Sequence, residues 1–364
     1  MPADGSPDAR EDGRVSHRPR VLMLIPSVVR RDIEDAVAAD RHPTMDYHAL
    51  QSRLGADIAD YATVRQSRHP MVRAAARVSP DAALAIHARL ASRNYDAIYS
   101  NGENVSIPLA AMTGSRRPGH VLIGHHLSTP KKRQLLRRLH GRMDRILVYS
   151  SVQLRHARDV LGIPEAKLRL IPFHADDAFF RPLDRPVRRQ ICSAGLEWRD
   201  YPTLIEAVRD LDVEVKLAAA SPWSKHANET EGRVLPPNVS ARRYEYSELR
   251  ELYAESAVVA VPLYENDFQA GVTTILEAMA MGRPVIATRT TGQIDVIEEG
   301  VNGLYVPPGD ARAWRAALHR LLADECLARK LGDGGRRTVV ERMSLRHWVD
   351  RVASCVEEVA GVSR

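Results

Sequence analysis

Residues 264–310 read YENDFQAGVTTILEAMAMGRPVIATRTTGQIDVIEEGVNGLYVPPGD, and the order of residue types along them predicts a strand, a loop and a helix start. An apolar strand expected at 258–261 ends at Pro262, a polar loop runs as far as Gly271, and a helix is expected over 272–281. Gly271 lets the backbone approach a ligand closely, and the first N–H groups of the helix, which have no partner within it, point at the same place. A helix start of this kind favours an anion, and a diphosphate fits it. Ala270, Gly271, Val272, Thr273 and Thr274 are therefore candidate ligand contacts, the threonines through their hydroxyls. Glu277 falls about one turn into the helix, placed to accept hydrogen bonds from a diol such as ribose.

On both sides of this stretch strand-like and helical segments alternate. Toward the N-terminus a short apolar run at 20–25 (RVLMLI) stops at Pro26, an Ala-rich helical pattern covers 80–93, and a strand follows at 96–99. Further segments are expected at 107–112, 120–123, 130–140, 145–149, 151–160 and 168–171. The rhythm breaks at 174–187, which is charged, proline-bearing and irregular, and predicts an interdomain linker. It restarts with strands at 190–194, 213–218, 258–261 and 284–287, interleaved with helices at 201–209, 247–255 and 272–281. From 311 to 359 the pattern is helical. The expected fold is α/β: two Rossmann-like, doubly wound domains at 19–173 and 188–343, facing each other across a cleft, with a helical segment at 344–364.

Composition fits that reading. At 364 residues, 44% hydrophobic and 27% charged, the chain has the material for two globular cores. Residues 1–18 are polar, without periodicity, and predict a disordered tail rather than a secretory signal. No apolar run approaches the ~20 residues of a spanning helix. Cys192, Cys326 and Cys355 are too far apart for a disulfide framework or a zinc site, so a reducing cytoplasm is expected and no metal or cofactor. The net charge of +6 favours an anionic partner without choosing among them.

The same stretch resembles the donor-binding signature of glycosyltransferase family 4, retaining enzymes of the GT-B fold. The family pattern runs Glu-x7-Glu, then Ala-x-Ala-x-Gly-x-Pro-Val, then Gly-x-x-Gly-Leu-x-Val-x-Pro-Gly-Asp. Leu276 to Ala287 matches the middle and Gly300 to Asp310 the end, with further likeness at 253–257 and 169–172. Two positions depart from it. The first glutamate falls on Gln269, an amide that hydrogen-bonds hydroxyls but is neither base nor nucleophile. At 195–200 (GLEWRD) Leu196 stands where the family has arginine, and Arg199 where it has lysine.

The resemblance implies transfer of a sugar from a nucleoside diphosphate sugar, with retention, to a carbohydrate, lipid or natural-product acceptor. It implies Arg199 on the diphosphate, Gln269 and the loop 267–270 on the sugar, and a last helix crossing back to the acceptor-binding N-terminal domain. A nucleotide-sugar epimerase on the same fold and a non-catalytic relative remain as alternatives.

Weaker signals each carry two readings. His125 and His126 close the strand at 120–124; they are surface histidines or, with the register favouring His126, line the reaction centre as proton relays. Trp223 stacks on a nucleobase or packs. Asn101 and Glu103 follow a strand and touch the acceptor or form a polar loop. At 131–145 the cations Lys131, Lys132, Arg133, Arg137, Arg138, Arg142 and Arg145 accompany Leu135, Leu136, Leu139 and Met143 on one helical face. That is a helix packed through its leucines with a solvated basic face, or a peripheral contact with the anionic inner face of a membrane. The run lacks interleaved aromatics, which argues against nucleic acid.

Overall fold

The computed structural model describes residues 18–30, 32–114, 117–219 and 234–361. The expected tail, apart from Arg18, and Trp223 lie outside the described residues. Two six-stranded sheets organise the rest. The first contains β1 (Val21–Leu24), β2 (Asp57–Ala59), β3 (Ala97–Asn101), β4 (Gly119–Gly124), β5 (Arg145–Val148) and β6 (Leu168–Leu170), in the order β2-β1-β3-β4-β5-β6. The second contains β7 (Arg188–Ala194), β8 (Glu214–Ala218), β9 (Val239–Ala241), β10 (Ser256–Val261), β11 (Val285–Thr288) and β12 (Leu304–Val306), in the order β12-β11-β10-β7-β8-β9. Every pairing is parallel.

Parallel strands covered on both faces are apolar throughout, and alternate residues feed two cores. Val21 and Met23 pack on one face of the first sheet, Leu22 and Leu24 on the other. In the second sheet Val259 and Val261 pack on one face, Val258 and Ala260 on the other. Strand order then locates the ligand crevice. The direction in which successive strands are added reverses between neighbours β7 and β10 in the second sheet, and between β1 and β3 in the first, and crevices open at the carboxyl ends there.

The last helix, Leu345–Gly361, belongs to the first core. Trp348, Val349, Val352, Val356 and Val359 pack beside Tyr47 and Leu50 of the helix Asp46–Leu54. Each such side chain contributes about 1.5–3 kcal/mol by burial. At its rim Arg53 pairs with Glu357 at 2.8 Å, and Arg145 pairs with Glu358. Between the sheets, 174–187 has no regular helix or strand, yet Phe179 and Phe180 are buried in the second core. The segment is packed against the domain it precedes rather than slung free.

Two sequence expectations change. No element is expected between 27 and 79, where the structure has β2 and the helices Asp46–Leu54 and Pro70–Ala76. The basic stretch is not one helix: Pro130–Leu139 ends in a single 3-10 turn, His140–Arg142, before β5. Leu136 and Met143 are buried, but Leu135 is 45% exposed, because adjacent residues of a helix point about 100° apart and it is Leu136 that faces the core.

Candidate active site at the interdomain cleft

The carboxyl ends of β7 and β10 bring Ala194, Arg199 and Gly271 together. Gly271 is the left-handed N-cap of the helix Val272–Ala280, with φ 76°. A Cβ there would lie 2.8 Å from Val261 Cγ1, so conformation and space both require glycine. Arg199 is 6% exposed. Its Nε donates to the Ala194 carbonyl at 2.8 Å, Nη1 to the Glu197 carbonyl at 2.9 Å and Nη2 to Thr274 Oγ1 at 3.0 Å. Burial pulls its pKa down, but a guanidinium stays protonated. A buried cation hydrogen-bonded to neutral oxygens is electrostatically incomplete, and an anion nearby completes it. Thr274 also donates to Ala194 at 3.3 Å, so its hydroxyl supports Arg199, while Thr273 is exposed. Leu196 packs on the opposite core of the sheet and brings no second cation.

One turn along, Glu277 is 7% exposed and accepts from Tyr253 OH at 3.0 Å. Burial pushes its carboxyl up to about 8, against the lowering effect of Tyr253 and Arg199. It is an acid held neutral at moderate pH, with acceptor capacity that hydroxyls of a guest would use.

The loop before this helix is held on several sides. Ala270 is buried, and its carbonyl accepts from Gln293 Nε2 at 3.0 Å. A Cβ on Gly292 would collide with the Phe268 backbone, so the 289–295 loop supports the 264–270 loop at main-chain distance. Val272 is buried behind it. Gln269 is half-buried, and its Oε1 is screened from solvent with no hydrogen-bond partner among the described residues. Trp198, at φ 54°, accepts from Tyr264 N at 3.0 Å and meets Phe268 edge-on at 6.0 Å.

The facing wall comes from the strand ends of the first sheet. His126 Nε2 lies 2.9 Å from Asp267 Oδ1, and its ring stacks on Phe268 at 4.8 Å, closing the cleft between the domains. Burial alone would raise the Asp267 carboxyl, but hydrogen bonds from Ser128 and His126 hold it below its ordinary value. Glu103 is 3% exposed; Oε1 accepts from His126 N at 2.7 Å and Oε2 from Lys132 Nζ at 3.2 Å. Burial pushes Glu103 up, while Lys132, His125 and the His126 amide bring it below its usual value. Asn101 Oδ1 lies 2.7 Å from His125 Nε2. Glu103 is thus buried beneath the histidine turn rather than open to an acceptor, and Asn101 steadies His125.

Sequence reading did not single out Tyr253, Phe268, Trp198 or Gln153. Tyr253 lay within a matched stretch but carried no signal for its partner. Among the described residues no group of three His, Cys, Asp or Glu is arranged to hold a metal ion. No helix there is long and apolar enough to cross a membrane.

Comparison with known proteins gives the same architecture. Residues 191–324 match the family model "Glycosyl transferases group 1". The chain is 29% identical over 224 residues to MMP alpha-(1->4)-mannosyltransferase of Mycolicibacterium hassiacum, covering 58% of this chain and 53% of that protein. It is 36% identical over 129 residues to D-inositol 3-phosphate glycosyltransferase of Salinispora arenicola, covering 35% of this chain and 26% of that one. The matches thus span about half or less of these relatives' length. In structure it is similar to sucrose-phosphate synthase from Thermosynechococcus elongatus, with TM-score 0.71, 18% identity and coverage of 95% and 100%. It is likewise similar to Anabaena HepE in complex with UDP-glucose, with TM-score 0.68, 16% identity and coverage of 93% and 100%. Two parallel sheets facing across a cleft give this chain the GT-B fold, and the segment that carries the whole helix-start site is the one that matches the group 1 glycosyltransferase model.

Proposed function

We propose that the chain transfers a glycosyl group from a nucleoside diphosphate sugar to an acceptor hydroxyl, with retention. The observation that carries this is the pairing of buried Arg199, bonded to neutral oxygens, with buried Glu277 at the Gly271 helix start. One group suits a diphosphate and the other a diol, about a helical turn apart. Relatives named as a mannosyltransferase and an inositol phosphate glycosyltransferase, and a neighbour crystallised with UDP-glucose, support the reading.

In this proposal the acceptor oxygen bonds to the anomeric carbon as the bond to the diphosphate breaks, and the acceptor proton passes to the departing diphosphate. Charge grows on that leaving group, where the helix-start amides and Arg199 offset it. Gln269, with its unpartnered Oε1, takes a sugar hydroxyl, and His126 faces the sugar from the other domain. Metal is not called upon, and turnover is expected to survive EDTA. Strict dependence on added magnesium or manganese counts against this scheme. The exposed cations Arg133, Arg137 and Arg138 present a basic face for an acceptor at an anionic membrane, tested by sedimentation with anionic vesicles at low and high salt.

The direct test is thermal-shift screening against UDP, GDP, dTDP and ADP and their common sugars, followed by product analysis with the best donor. A bound nucleotide raises the melting temperature with the logarithm of its saturation. Glycosylated acceptor with released nucleoside diphosphate supports transfer; an epimerised donor, or binding with no product, retires it.

A further inference from the structure

Gln153 sits in the short helix Ser151–Arg155 after β5, its backbone N–H donating to Ser150 Oγ at 3.2 Å. Its side chain is 3% exposed, and both ends of the amide are engaged. Oε1 accepts from Leu127 N at 2.7 Å. Nε2 donates to Ser128 Oγ at 3.0 Å and to the Asp267 carbonyl at 2.9 Å. Leu127 and Ser128 form the turn that carries His125 and His126, in the first domain. Asp267 belongs to the loop that precedes the Gly271 helix start, in the second. The partners fix which way the amide points: an N–H needs the oxygen and a carbonyl needs the nitrogen.

We infer that Gln153 is a positioning residue that registers the histidine turn against the sugar-facing loop; the inference rests on the transfer reading above. Two properties distinguish this contact from its neighbour. The His126–Asp267 pair is partly open to solvent, with side chains 36% and 49% exposed, and is ionic only when the imidazole is protonated. Gln153 makes a neutral, buried bond to the main chain of the same residue, indifferent to salt and to histidine protonation. Holding the Asp267 carbonyl fixes the peptide plane from which Phe268 and Gln269 project. It does so from a side chain that also fixes the turn behind His126. When the cleft opens, the Asp267 bond breaks while the Leu127 and Ser128 bonds remain, so the amide links closure of the domains to the aim of the loop.

Gln153→Glu separates the two halves of the role. A carboxylate still accepts from Leu127 N and Ser128 Oγ but cannot donate to the Asp267 carbonyl. Gln153→Met fills similar volume and loses both connections. Hydrogen–deuterium exchange on the full chain, free and with UDP, is the readout that needs no knowledge of the reaction. In Gln153→Glu, exchange over 266–272 is expected to rise about tenfold with 125–128 unchanged, and in Gln153→Met both segments are expected to loosen. Unchanged exchange over 266–272 in both variants overturns the inference. With the donor the wild type turns over, kcat is expected to fall about tenfold in Gln153→Glu while donor Kd stays within about twofold. An equal loss in both, or none in either, also overturns it. A wild-type chain that turns over no nucleotide sugar sinks the transfer reading instead, and the exchange result then decides the coupling alone.

Discussion

On the C-terminal wall of the cleft Arg199, Thr274, Glu277 and Tyr253 are buried and bonded mostly to one another and to the ends of β7 and its loop. On the facing wall His125 and His126 stand more open, each steadied by a group from another strand end. The first wall is preformed: its geometry is fixed by a left-handed glycine and by buried polar contacts that are costly to break. The second becomes a site only by meeting the first, through His126–Asp267 and Gln153–Asp267. The preformed wall and the assembled facing wall should therefore respond differently to mutation, the former in binding and stability, the latter in turnover.

The largest effect is expected at Arg199. Arg199→Ala removes the hydrogen bonds to the Ala194 and Glu197 carbonyls and to the Thr274 hydroxyl, costing about 2–4 kcal/mol of stability, and should abolish the melting-temperature rise given by a nucleoside diphosphate. If that rise persists in the mutant, Arg199 is a structural strut and not a phosphate ligand.

On the facing wall His126→Ala is expected to lower kcat roughly 100-fold with nucleotide affinity within about twofold. Loss mainly in nucleotide affinity would erase the contrast between the walls. If His125→Ala is the more damaging change, the neighbouring histidine holds the role.

Glu277 sharpens the comparison through pH. Its folded pKa of about 8 stands above the ordinary 4.5, so the folded chain holds a proton the unfolded chain releases. The stability tied to that proton is complete below about pH 4.5 and is lost as pH rises through 8. Melting temperature of the free protein should thus fall across that window, and Glu277→Gln should flatten the fall. Ribose hydroxyls donating to the carboxyl favour its ionised form, so nucleotide affinity should rise with pH in the wild type but not in the mutant. Parallel pH profiles for the two proteins would remove Glu277 from the diol site.

The smallest effect is expected at Gln269. An amide there can both donate to and accept from a sugar, whereas a carboxylate only accepts and adds charge near the diphosphate. Gln269→Glu should alter the preference between two sugars on one nucleotide, read as kcat/KM, by about tenfold or less. A large overall gain would mean that the natural chain is a weakened relative.

The preformed wall was the more legible one because it is local. Gly271, Thr274 and Glu277 lie within a single strand–loop–helix unit, where spacing alone places them on the first two turns. Arg199 was reached by resemblance, but nothing in the sequence told that it would be buried against Ala194 and Thr274. On the other wall Glu103 looked like an open loop residue; Lys132, 29 positions away, and the His126 amide draw it inside. Gln153 carried no signal at all, since its decisive partner is 114 positions away in the other domain. Helix Asp46–Leu54 escaped for a related reason. Its apolar face is matched by the last helix, far along the chain, rather than by a strong periodicity of its own.

What the sequence by itself determined is the set of short-range patterns: apolar runs that must be buried as parallel strands, helices between them, and a glycine-gated helix start suited to an anion. These follow from backbone sterics and solvent transfer, which act within a few residues. Only the tertiary structure decided which strand ends meet. Sheet order put β7 beside β10, the last helix sealed the first core, and two domains closed until one histidine and one glutamine reached Asp267. Those contacts depend on the relative placement of whole sheets, a property of packing that no local run of residue types records.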